Sequence, residues 1–110
     1  MRAKTGEAVL YLNDKRVGRV KVHGWETSWG YGDFEPNDDF AQFAALFGRW
    51  SLLMHEDENE RLTADASQEL QQAEIALDTL RARLHFAAID EWLELGQVNI
   101  DGPLIEWKAK

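Results

Sequence analysis

A chain of 110 residues is the size of one domain and can bury a single core; 45% hydrophobic and 29% charged residues suit a packed globule with a polar surface, not a disordered segment. The absence of Cys excludes disulfides, thiolate nucleophiles and Cys-ligated zinc or iron–sulfur sites. A net charge of −8 opposes association with phosphate backbones, so nucleic acid is not an expected partner.

The N-terminal "MRAKTGEAVLYL" lacks the apolar run of a signal peptide, and no stretch approaches eighteen apolar residues. A cytoplasmic protein without a membrane partner is therefore expected. Charge is unevenly spread. Residues 1–24 hold six Lys/Arg against two acids, whereas residues 25–60 hold only Arg49 against nine acids. Residues 61–110 hold five basic residues against nine acids.

"EAVLYL" (7–12) and "VGRVKVH" (17–23) flank "NDKR", where Asn13 and Asp14 can take the positive φ of a tight turn, which predicts a hairpin. Val20 and Val22 alternate with Arg19, Lys21 and His23, so one face meets the core, and Leu10 and Leu12 share it. The strand leads into "HGWETSWGYGDFEPNDDF" (23–40), rich in aromatics, glycines and carboxylates. Its end reads as a helix start, with Pro36 near the first turn and Asn37 or Asp39 as cap; Asp39 with Gln42 has capping-box spacing. Phe40, Phe43, Ala44 and Phe47 fall on one helical face, and Gly48 is the expected stop. "RWSLLMH" (49–55) fits either a buried strand or more helix, and a strand is expected after Gly48. "EDENERLTADAS" reads as a loop. A second helix is expected from about Asp65 to about Leu84, with the stripe Leu70, Ala73, Leu77, Leu80 and Leu84. Finally, "QVNI" and "LIEW" flank Asp101-Gly102 as a hairpin, and Pro103 suggests an edge position. The order predicts an α+β fold: one domain, residues 1–110, with a mainly antiparallel sheet of N- and C-terminal hairpins packed against two helices.

Most catalytic signatures fail. "GYGDFE" has Glu35 where a dinucleotide fingerprint needs a third Gly, and no P-loop Lys follows. Asp33, Glu35 and Asn37 begin like a calcium loop, but Asp38 stands at the sixth position and Ala44 at the twelfth, which excludes an EF-hand. His23, His55 and His85 show no metal-binding helical spacing. His55 precedes Glu56 and Asp57, a combination general acid–base chemistry could use. No serine sits in a nucleophile-elbow context. Accordingly, no catalytic residue and no cofactor are assigned. A looser oxygen-ligand site could use Asp33, Glu35, Asp38 or Asp39, and the alternative from another class is a metal-assisted hydrolase or lyase built on Asp33, Glu35 and Asp39 with His23 or His55.

Trp25, Trp29 and Tyr31 share one parity in an extended segment and could form a flat recognition face, with Glu26, Asp33 and Glu35 as polar neighbours. The competing expectation is that the tryptophans close the core; Trp50, Trp92 and Trp107 are expected in the core or at its rim. The leading functional expectation is a non-enzymatic protein-interaction module whose acidic middle and aromatic face meet a basic partner, an immunity or antitoxin-like role being one form. Homodimerisation through an exposed hairpin edge is a third possibility.

Overall fold

The computed structural model describes residues 6–61 and 63–110. Arg2 and Lys4, counted above in the basic first hairpin, lie outside them. The fold is a small α+β domain: strands β1 (Gly6–Leu12), β2 (Lys15–Glu26) and β3 (Trp29–Pro36), a 3₁₀ turn at Asp38–Phe40, helices α1 (Ala41–Glu58) and α2 (Ala64–Asp78), then strands β4 (Ala82–Phe86), β5 (Glu91–Asp101) and β6 (Leu104–Ala109). The expected antiparallel sheet is present and closes into a barrel of order β1-β2-β3-β6-β5-β4. Two three-stranded meanders are joined by β3–β6 and β1–β4 pairs, all antiparallel. Closure gives each strand a neighbour on either side among the described residues.

The first hairpin turns at Asn13 and Asp14, both at positive φ (50° and 66°), as a two-residue turn of this twist requires. The last turns at Gly102-Pro103, one residue later than Asp101-Gly102; Gly102 carries the positive φ of 59°. Inside the barrel lie Leu10, Leu12, Val20, Val22, Phe34, Leu84, Ile105 and Trp107, all buried. Beside them pack Phe40, Phe43, Phe47 and Leu77 from the helical segment. Helix α1 and α2 contact each other and β5, while the 3₁₀ turn packs on β2. The helical segment leaves from the end of β3 and returns at β4, beside the Asn13 turn, where Asn13 and Arg81 exchange hydrogen bonds of 2.9 Å.

Two sequence expectations are corrected, and a third is decided between its alternatives. Residues 49–55 are not a strand: α1 runs through Gly48 to Glu58. A helical Gly costs about 1 kcal/mol relative to Ala, and burial of Phe43, Phe47, Ser51 and Leu53 on successive turns outweighs that penalty. The second helix stops at Asp78, capped by Thr79, rather than reaching Leu84. Leu84 shares helical spacing with Leu77 but also alternates with Arg83 and His85, and the barrel selects the strand period. Asn37, not Asp39, caps the start of the helical segment: its Oδ1 accepts from Asp39 N at 2.9 Å, and its Nδ2 donates to Arg16 O at 2.9 Å. No helix among the described residues is long and apolar enough to cross a membrane.

Candidate functional site

The aromatic segment is divided by one backbone irregularity. Between Val22 and Gly24 the β2–β3 register shifts, leaving His23 as the extra residue of a bulge. That residue reverses the alternation downstream. Trp25 therefore turns inward, where its ring meets Trp107 edge-on at 5.7 Å, and it pairs with Gly30, which packs against the Trp107 indole. Trp29, paired with Glu26 at the hairpin end, and Tyr31, opposite Gly24, lie on the outer face. The expected flat face of Trp25, Trp29 and Tyr31 is thus split: Trp25 contributes to packing, and Tyr31 stands 44% exposed on the outside.

Tyr31 and Asp33 instead form part of a cleft of about 600 Å³ between the outer face of β3, β6 and β5 and the flank of α1. The barrel contributes His23, Tyr31, Asp33, Gln97, Asn99, Asp101, Leu104 and Glu106; α1 contributes Trp50, Met54, His55 and Glu58, and α2 contributes Glu74. Each wall has a simple origin. Alternate residues of a strand share a face, which sets Tyr31 with Asp33, Asn99 with Asp101, and Leu104 with Glu106. Trp50, Met54 and Glu58 recur every four residues along α1, hence on one side of it. The α1 wall is fixed to the barrel by Ser51, whose buried hydroxyl donates to Ile100 O at 3.3 Å.

Five carboxylates, Asp33, Glu58, Glu74, Asp101 and Glu106, enter this cleft, and among the described residues no Lys or Arg lines it. Their recorded partners are weaker or conditional. His23 Nε2 lies 2.7 Å from Asp33 Oδ2; His55 stands between Asp101 at 3.7 Å and Glu58 at 4.0 Å; and Asn99 donates to Glu106 at 3.2 Å. On other faces four carboxylates are matched by guanidinium groups: Glu35 by Arg19, Glu69 by Arg49, Glu94 by Arg81, and Asp14 by Arg81 and Arg83. The hydrogen bond and charge of Glu35 hold the Arg19 guanidinium above its ordinary range. Glu35 therefore belongs to a separate ion pair on the β2–β3 face, and Glu26 and Trp29 lie outside the cleft lining.

The alternative metal set is divided: Asp33, engaged with His23, and His55 on α1 both line the cleft, whereas Glu35 is paired with Arg19 and Asp39 sits in the 3₁₀ turn. Among the described residues, no group of three or more His, Asp or Glu is arranged to hold a metal ion. Sequence reasoning missed Trp50, Met54, Glu58, Glu74, Asp101 and Glu106. The four-residue repeat from Trp50 to Glu58 carried a usable signal, hidden by reading 49–55 as a strand. Comparison with protein-family models, curated proteins and solved structures gave no match.

Proposed function

We propose that this chain is a non-enzymatic, cytoplasmic interaction module that receives a basic segment of a protein partner in the cleft between α1 and the barrel. The supporting observation is a cleft lined, among the described residues, by five carboxylates and no Lys or Arg, whereas Asp14, Glu35 and Glu94 on other faces pair with guanidinium groups. A volume of about 600 Å³ lies within the range of ligand-sized clefts. Tyr31, Trp50, Met54 and Leu104 give it an apolar floor for side-chain stems, while the acids supply charge recognition. Neutralisation of a basic protein, as an immunity or antitoxin-like factor does, is one specific form of this activity.

The test is a calorimetric titration with a short lysine- and arginine-containing peptide at low and high salt. Cleft carboxylates such as Asp33 and Asp101 are more than half exposed, so screening should act on them fully. Binding that weakens strongly with salt, and that falls further in Asp33→Asn plus Glu106→Gln, supports the reading. Affinity indifferent to both changes refutes it.

A further inference from the structure

Resting on the reading above, the cleft's composition points to a narrower partner: we infer that it selects arginine over lysine. Both residues satisfy a negative field, so charge alone does not discriminate between them. A guanidinium is planar, stacks on aromatic faces and donates to two carboxylates at once, whereas an ammonium is a compact, strongly hydrated point charge. Selection therefore requires aromatic surface and acids in the same cleft. Both are present here, on separate walls: Tyr31 comes from β3 and Trp50 from α1, with acids supplied by strands and helices alike. Met54 and Leu104 offer apolar contact for an arginine stem.

The same molecule already uses this chemistry internally, on the other side of the barrel. Arg83 lies 4.4 Å from the centroid of Trp92 and pairs with Asp14 at 2.7 Å. There Arg83 has both an aromatic and an acidic partner within this chain, and His85 stacks on Trp92 at 4.3 Å. In the cleft the aromatic residues and the acids are present with no arginine among the described lining residues. The occupant that complements it is an arginine side chain of another protein.

The deciding experiment titrates the intact chain with blocked tri-arginine and tri-lysine peptides, equal in charge and length. Tri-arginine should bind about fivefold more tightly, as expected for one added aromatic–guanidinium contact. Trp50→Leu should narrow that preference, weakening tri-arginine binding more than tri-lysine binding. Because Trp50 is half-buried, Tyr31→Leu at an exposed position provides the second variant, expected to narrow the same ratio. Trp92→Leu, remote from the cleft, should leave it intact. Equal affinity for the two peptides, or a preference that survives both cleft variants, overturns arginine selection and leaves basic-segment binding standing. If neither peptide binds, the proposed function falls together with the inference.

Discussion

Replacing Gly48 by Ala tests the element on which one wall of the cleft depends. Gly48 lies mid-helix in α1, its φ is not positive, and a Cβ built on it meets no atom within 4 Å. The substitution therefore adds no clash and removes backbone freedom from the unfolded chain, which should stabilise the protein by about 0.5–1 kcal/mol. For a domain of this size, that raises the thermal midpoint by roughly 2–4 °C. Circular dichroism melts of the wild type and Gly48→Ala, checked by urea titration, measure it. A matching comparison is Gly32→Ala in β3, where the added Cβ would stand 2.1 Å from Lys21 O, a backbone atom that cannot rotate away. That variant should lose about 1–3 kcal/mol. A destabilised Gly48→Ala protein would refute the continuous helix, and with it the alignment of Trp50, Met54 and Glu58 on one face.

Three further outcomes are expected. Thr27, a β-branched residue held at φ 54° in the β2–β3 turn, should be improved by Thr27→Asn, gaining about 0.5–1 kcal/mol in a denaturant titration. His55→Ala should tighten binding of a basic peptide severalfold in calorimetry, because it clears the imidazole from between Asp101 and Glu58; weaker binding would place His55 among the recognition groups instead. Gly102→Ala should cost about 1 kcal/mol by strain at its positive φ, read as a lower thermal midpoint.

Local signals carried much of the fold. The Asn13-Asp14 turn, the alternation of Val20 and Val22, and the phenylalanine face of α1 were readable because neighbouring residues decide them. Leu84 and residues 49–55 were not, since each fits two periods and only contacts distant in sequence choose between them. Barrel closure depends on β1 meeting β4 and has no local signature. At the site, Tyr31 and Asp33 were found as an aromatic and acidic concentration, whereas Trp25 was misplaced by the His23 bulge, a single added residue that reverses every later side chain. Glu74, Asp101 and Glu106 look like ordinary surface acids until the fold brings them round one cavity.

The barrel's closing pairs have a kinetic consequence. Val9 meets His85 and Leu12 meets Ala82, so the chain must bring nearly opposite ends of its length together before the cylinder exists. Such distant pairings form slowly, after the local hairpins and helices. The cleft draws on β3, α1, β5 and β6 together, so a chain that has made only its hairpins has nothing with which to grip a basic segment. Appearance of peptide binding during refolding should therefore follow the slowest folding phase, making the ligand a stopwatch for closure.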